Sequence, residues 1–283
     1  MHPRGASLRK RRPRKLKPIR PSRKNELWYR QQLMAIVGQL RTAGEKIVAK
    51  LKPRWPVTTD APPQELAEAI REAQHGFGWL DRQSELLAQA ASARNIQEVD
   101  ARLARQIRES VGVDVRAALS VDGPVAHKMQ DAIEWNTSLI RSIPSEYFDK
   151  LETLISSGWA DGRRWESMAE DVSNLGDVTE TRAKVIARDQ TSKMNAAFNQ
   201  ERQRQVGIEK YEWSTSEDER VRDSHADLDG QEFRWDDPPI VDGEAANPGE
   251  PILCRCVALP VFDLDELEAG AVAESAGEME EAA

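Results

Sequence analysis

The chain has 283 residues and a formal net charge of -8, with 39% hydrophobic and 31% charged residues. That is enough for one large or two ordinary domains with a modest core. No apolar run approaches the ~20 residues that span a bilayer, and the first residues lack the apolar stretch of a secretory signal. These absences argue against a membrane protein and make the cytoplasm the expected compartment.

The first segment, 1–24, carries eleven of the 40 Lys and Arg residues and no Asp or Glu. Its charges include Arg9, Lys10, Arg11, Arg12, Arg14, Lys15, Lys17 and Arg20, and Pro13, Pro18 and Pro21 keep it extended. It is expected to be a disordered basic arm. One reading is non-specific contact with the phosphates of double-stranded DNA, driven by counterion release. The other is a solubilising arm, or one that docks on an acidic protein surface. No aromatic side chain interleaves with the charges, so base stacking is not expected.

Residues 25–121 read as helical. Asn25 is the expected N-cap of a helix with Leu33, Ile36, Val37, Leu40, Ile47, Val48 and Leu51 along one stripe. The stripe ends before Pro53. Four prolines between 52 and 63 read as a linker, after which helix resumes at Gln64 and runs to about Ala118, with interruptions at Gly76, Gly78 and Gly112.

Residues 122–207 form a second helical block. Asp122-Gly123-Pro124 opens a helix bearing Val125, Met129, Ile133 and Ile140. Pro144 is expected to end it and to start another with Tyr147, Phe148, Leu151, Leu154 and Ile155 on one face. A short helix is expected from Arg164 to Val172. Asp177 and Glu180 then resemble a capping box opening a long helix with Ala183, Ile186, Ala187, Met194, Ala197 and Phe198 inward, stopping at Gly207. His127, Trp135, Trp159 and Trp165 are read as packing residues.

From 208 to 262 the pattern changes to short β-like pieces at Lys210–Ser214, Glu232–Trp235 and Leu253–Val261, separated by turn-forming Asp-Gly, Asp-Asp-Pro-Pro and Asn-Pro-Gly steps. The fold class is therefore α+β: a mostly α-helical N-terminal and central part with a small loop-rich, β-containing C-terminal module. This module holds both cysteines of the chain. Two thiols one residue apart make a strained disulfide, and alternation along a strand would put Cys254 and Cys256 on one face.

With His225 they make three soft or borderline ligands of the kind Zn²⁺ prefers, in a module too small for a large core of its own. Asp218 is the candidate fourth ligand, with another nearby carboxylate, a water or a neighbouring subunit as substitutes. The alternative is that the cysteines are small buried hydrophobes and His225 a hydrogen-bonded core histidine. Arg220, Arg222 and Arg255 alternate with Asp218, Asp223 and Asp237 and are read chiefly as loop-pinning ion pairs, with phosphate contact as the competing role. Residues 263–283 contain eight acidic and no basic residues, the composition of a solvated, disordered tail.

Tyr211, Trp213, the run Asp218 to Arg222, His225, Leu228-Asp229-Gly230, Phe233, Asp237-Pro238-Pro239, Pro248-Gly249, Cys254-Arg255-Cys256 and Pro260 occur in that order. This series resembles the signature of the phage Mu F-like head morphogenesis family, the minor capsid proteins of tailed bacteriophages. Arg182 to Asn195 is similar to the family's helix before the signature, with Asp189-Gln190 where Thr-Glu or Thr-Gln is the pattern. The resemblance spans roughly 138–262.

It implies a structural role in assembly inside the phage head or at its portal vertex, with host cytoplasm as the site of synthesis. The implied partners are the portal protein, scaffold or major capsid protein. No catalytic activity is expected, since there is no His-Glu-x-x-His helix, Gly-rich phosphate loop or serine elbow. The competing reading is a metal-dependent nuclease or toxin-like effector, a zinc hydrolase in chemical terms. The stretch after Val261, about twenty acidic low-complexity residues, is expected to hold no further catalytic domain.

Overall fold

The structure is a computed structural model and describes residues 14–54 and 64–262. Arg9, Lys10, Arg11 and Arg12, most of the expected linker, and the expected acidic tail lie outside the described residues. The order of elements is β1 (Arg14–Lys15), α1 (Arg23–Leu51), α2 (Gln64–Gly76), α3 (Leu80–Val111), α4 (Gly123–Ala160) and α5 (Trp165–Gln205). There follow β2 (Lys210–Ser214), α6 (Asp223–Ala226), β3 (Glu232–Arg234), β4 (Ile240–Val241), β5 (Glu244–Ala245) and β6 (Val257–Phe262). The fold is α+β and mostly helical, with a small antiparallel sheet near its C-terminal end.

The chain divides into two compact units. One comprises 22–94 and 129–191; the other comprises the segment up to Pro21, 95–128 and the residues from Ser192 onward. Helices α3, α4 and α5 each contribute residues to both.

In the first unit, Ser22 rather than Asn25 caps α1: its hydroxyl accepts from the Asn25 backbone N–H at 3.5 Å. Asn25 is buried, and its side-chain amide donates to the Arg94 carbonyl at 3.0 Å. The apolar stripe of α1 is buried as its spacing requires. A polar pair lies within that core, where the Tyr29 hydroxyl donates to Asn136 Oδ1 at 2.9 Å, and Asn136 Nδ2 lies 3.4 Å from Gln190 Oε1.

Two expected helix boundaries are absent. Pro144 lies inside α4 without ending it. An interior proline costs about 3 kcal/mol in a helix. Here the neighbouring Ile140, Ile143, Tyr147, Phe148 and Leu151 are each no more than 1% exposed, and their burial holds the helix through the defect. Likewise α5 runs unbroken from Trp165 through the supposed capping box. Asp177 and Glu180 instead receive the Arg41 guanidinium of α1 at 2.5 and 2.9 Å. Gly176 marks the close approach of that arginine, because a Cβ there would stand 2.9 Å from Arg41 Cγ.

Of the expected packing residues, Trp159 is buried and Trp165 is half-buried beneath the Lys52 ammonium, 4.2 Å from its ring centre. His127 and Trp135 are exposed instead, Trp135 to 58%. Trp135 sits on a part of α4 whose buried side is taken by Asn136, Thr137 and Ile140.

The second unit holds the four-stranded sheet, in the order β1-β6-β2-β3. Strand β2 is its centre, with Trp213 opposite Ala258 of β6 and Tyr211 between Pro260 of β6 and Phe233 of β3. Pro260 is tolerated in this inner strand because its carbonyl, and so its missing N–H, faces the two-residue β1, where it accepts from Leu16 at 3.1 Å.

The basic arm is therefore not free chain throughout. From Arg14 it is built into the fold: Lys15 pairs with Glu212, Leu16 and Ile19 are buried, and the Ile19 and Arg20 carbonyls accept from Asn195 and Arg102. The expectation of disorder over 1–24 fails here because Leu16 and Ile19 are apolar anchors among the charges. Lys17 and Arg20 remain exposed, whereas the Lys15 ammonium is engaged by a carboxylate.

Helix α5 contributes a buried polar face to this unit. Arg202, 0% exposed, makes a two-pronged ion pair with Asp100 at 2.7 and 3.0 Å and donates to the Ser120 carbonyl and Gln205 Oε1. The sequence pattern alone assigns such an arginine to solvent. Its burial is possible because all of this hydrogen bonding satisfies a group that cannot shed its charge.

Candidate functional site

Five signature residues of the C-terminal module, Tyr211, Trp213, His225, Cys254 and Cys256, are buried together. Strand β2 alternates outward and inward, so Tyr211 and Trp213 face the core with Trp235, Val241, Ala246, Cys254, Cys256 and Ala258. The one-turn helix α6 places His225 against the edge of the Trp213 ring, with centroids 5.8 Å apart and planes at 85°. His225 is 3% exposed, and both cysteines are 5% exposed and unpaired in disulfides.

His225 Nδ1 lies 3.4 Å from Cys256 Sγ and 3.5 Å from Cys254 Sγ. The ligand atoms of all three residues lie within 4.8 Å of one another. The route to this juxtaposition differs from the expected strand alternation. Strand β6 begins only at Val257; Pro251 to Cys256 is a turn-containing approach in which Leu253 adopts φ +55°. The two thiols are brought together by that turn and by the Cys256 N–H, which lies 3.4 Å from Cys254 Sγ.

This setting favours one negative sulfur. The Cys254 thiol is pulled down to about 6 by its hydrogen bond with Cys256, against burial, with further help from the backbone N–H groups of Cys256 and Gly249 and from His225. Cys256 moves up, because the same hydrogen bond and its own burial favour keeping a proton there. The two thiols titrate as one coupled unit, with Cys254 shifted down and Cys256 up.

Asp218 does not join the cluster. It forms a two-pronged pair with Arg255, accepts from the Arg220 N–H at 3.1 Å, and so ties the loop after β2 to the cysteine segment. The Arg255 guanidinium holds the Asp218 carboxyl down at about 2. Its pKa being lowered by folding, the pairing stabilises the fold above the ordinary value of 3.8 and the benefit is lost as pH falls toward 2.

The carboxylate that does reach the site is Asp242, whose Oδ2 lies 3.4 Å from His225 Nε2. Ser224 and Arg222 fix it, at 2.6 and 3.1 Å, and Arg222 also donates to the Ile252 carbonyl at 2.8 Å. The only sequence cue to Asp242 was its Asp-Gly turn, where it takes φ +53°. Arg222 and Arg255 thus serve as loop pins, Arg222 with Asp242 in place of Asp223.

Other signature residues hold backbone. Gly230, at φ +75°, makes the turn that lets its N–H reach the Trp213 carbonyl at 2.8 Å, while Asp229 accepts from Thr215 N–H at 2.7 Å. The Tyr211 hydroxyl donates to Asn247 Oδ1 at 2.9 Å. Gly249 has φ +92°, and a Cβ there would stand 2.6 Å from the Ala196 Cβ of α5. Gly249→Ala is expected to cost about 1–3 kcal/mol from backbone strain alone, measured as a lower denaturant midpoint. A midpoint equal to wild type would show that this turn is not a fixed element of the module.

Of the residues read as metal ligands, His225, Cys254 and Cys256 converge and Asp218 does not. A tetrahedral zinc with Zn–S of about 2.3 Å and Zn–N of about 2.0 Å sets a nitrogen and a sulfur ligand about 3.5 Å apart. The observed separations of 3.4 and 3.5 Å match that edge length.

Residues 149–259 match the phage Mu protein F like family. A Haemophilus influenzae (strain Rd) protein, carried under the name "Uncharacterized protein", is 36% identical over 260 residues, which is 91% of this chain and 58% of that protein. The chain thus spans less than two thirds of that relative's length. No solved structure matches. The matched span runs from α4 to β6 and contains every residue of the site just described, so that over residues 149–259 this chain belongs to the phage Mu protein F like family.

Proposed function

We propose that this chain is a minor capsid, head morphogenesis protein of a tailed bacteriophage that docks at the portal vertex or inner shell during procapsid assembly. It acts there as a non-enzymatic component. The observation that carries the reading is the family match over residues 149–259. Its signature residues support it by their roles: Gly230, Gly249, Asp218, Arg222 and Arg255 hold turns and loops in place. A module with its recognisable residues committed to rigidity suits a fixed docking surface.

The test is co-assembly. The full chain is expressed with the portal, scaffold and major capsid proteins of the phage that encodes it, and procapsids are purified. The expected result is incorporation, with the chain co-purifying with one of these partners at a fixed ratio. Assembly of complete procapsids that exclude the chain at every stage would refute the reading.

The basic arm extends this function to the packaged genome. Arg9, Lys10, Arg11 and Arg12 form a dense run, and Lys17 and Arg20 are exposed farther along. Neutralising several phosphates gives binding that is independent of sequence and falls steeply with salt. Deleting residues 1–12 is expected to weaken retardation of arbitrary duplex DNA at low salt by more than tenfold without altering thermal stability. Deleting 1–24 is the wrong experiment, since it also removes β1 and the buried Leu16 and Ile19. Undiminished binding by the shorter deletion would place the DNA contact outside the arm.

A further inference from the structure

The most unusual local arrangement is the convergence of two buried thiols on one imidazole nitrogen. His225 Nε2 lies 3.4 Å from both Asp242 Oδ2 and the Arg222 guanidinium; in the tautomer that gives its Nε2 proton to Asp242, Nδ1 is left with a single lone pair. Both sulfurs lie 3.4–3.5 Å from that one lone pair. One thiol S–H can use it; the other is left with only its partner's sulfur, a weak acceptor. A cation between the three atoms satisfies all of them at once. The indole N–H of Trp213, in the same buried core, has no acceptor at hydrogen-bond geometry.

Charge balance points the same way. Two thiolates neutralise a divalent ion, so a neutral unit is buried rather than a net charge, which avoids the desolvation cost of an unpaired ion. Outside this unit, Asp242 is balanced by Arg222 at 3.1 Å.

The space beside the thiols is also suitable. A cavity of about 10 Å³ is lined by Cys254, Cys256, Asn199 and Trp235. Two residues of its lining, Asn199 and Trp235, have a buried acceptor (Oδ1) and a buried donor (Nε1) without protein partners.

We propose that the module binds one Zn²⁺ through His225 Nδ1, Cys254 Sγ and Cys256 Sγ, with Asp242 orienting His225 through Nε2–H and a water in the fourth position. Asp242 takes the outer place that carboxylates commonly hold behind a ligating histidine. The ion cross-links α6 to the turn before β6, two segments about thirty residues apart, neither of which has much regular structure of its own. Binding at neutral pH displaces the remaining thiol protons to solvent, which makes affinity rise with pH. The inference stands independently of the head-assembly reading, because it concerns what this module binds and not where the protein docks.

The experiment uses the full chain, purified under reducing conditions without chelator and analysed for metals. About one zinc per chain is expected. After removal of metal by a chelator, adding Co²⁺ to the reduced protein should produce the thiolate-to-cobalt charge-transfer absorption and the visible bands of a tetrahedral site, and Zn²⁺ should abolish both. Asp242→Asn should keep the stoichiometry while weakening zinc affinity about 10–100-fold, measured against a chromophoric chelator.

The Cys254→Ser/Cys256→Ser double variant should lose the cobalt spectrum. Should that variant fail to fold, the wild-type titration decides on its own. A reduced, folded wild-type chain that carries less than a tenth of an equivalent of zinc and gives no cobalt charge-transfer band overturns the proposal, as does zinc retained in full by the folded double variant.

Discussion

Asp100→Ala is expected to destabilise the chain by about 3–5 kcal/mol, the range found when one partner of a buried ion pair is removed. Arg202 is 0% exposed, and a guanidinium cannot neutralise itself by losing a proton, so the deletion strands a full charge in the core. The Ser120 carbonyl and Gln205 remain as neutral acceptors, but neither supplies the lost countercharge.

Burial already pushes the Asp100 carboxyl upward while Arg202 pulls it back, which shows how far each depends on the other. The companion double variant Asp100→Leu/Arg202→Met removes both charges and is expected to recover most of the loss, since well-packed apolar pairs often equal or exceed buried ion pairs. Urea unfolding of the four proteins of this cycle gives the coupling energy. A single Asp100→Ala variant within 1 kcal/mol of wild type would mean that Arg202 finds solvent or another acceptor, and the ion pair would then have no structural weight.

Arg202 also shows where sequence reading runs out. Helical spacing located Leu33, Ile36, Val37 and Leu40 correctly because burial of an apolar stripe follows from local periodicity. The same rule assigns Asn195, Asn199 and Arg202 to solvent, yet all three are buried. Their partners, Ile19 and Asp100 among them, are distant in sequence, and periodicity carries no information about distant partners.

The helix end expected at Pro144 and the break expected between Val172 and Asp177, where Gly176 lies, are absent for a related reason. Pro144 and Gly176 are locally unfavourable, and both are overridden by contacts from elsewhere in the chain: a tightly packed α4 face in one case, Arg41 in the other.

The site was more legible than its mechanism of assembly. His225, Cys254 and Cys256 stand out because the chain has only two cysteines and four histidines, and their grouping needed only that the segments return to one another. The strand alternation invoked for the cysteines was not the device; a turn with Leu253 at positive φ performs it. Asp218 is close to His225 in sequence, but Arg255 claims its carboxylate. Asp242 is not legible in the sequence, because an Asp-Gly step is so common a turn that its side chain carries no distinguishing signal.

Trp213 is the residue on which this geometry rests most heavily, and Trp213→Ala is expected to cost about 3–5 kcal/mol through loss of buried surface and the cavity left behind. The indole is 0% exposed, stacks edge-on with His225 and packs against Phe233 at a centroid distance of 6.5 Å. Its backbone is the middle of the sheet, paired on one side with Ala258 and bonded on the other to Gln231 and Gly230.

Few other large apolar side chains share this small core, so neighbours cannot refill the space as they might in a larger domain. Hydrogen exchange should therefore rise across residues 210–262 while α1 and α2, which belong to the other compact unit, keep their protection. Measuring in the presence of a chelator separates this packing effect from any contribution of bound metal. Trp213→Phe, which retains a ring in the core, should lose less than half as much. Unchanged exchange in β2, α6 and β6 of the alanine variant would show that the module's rigidity comes from its loop ion pairs and not from its tryptophan-centred core.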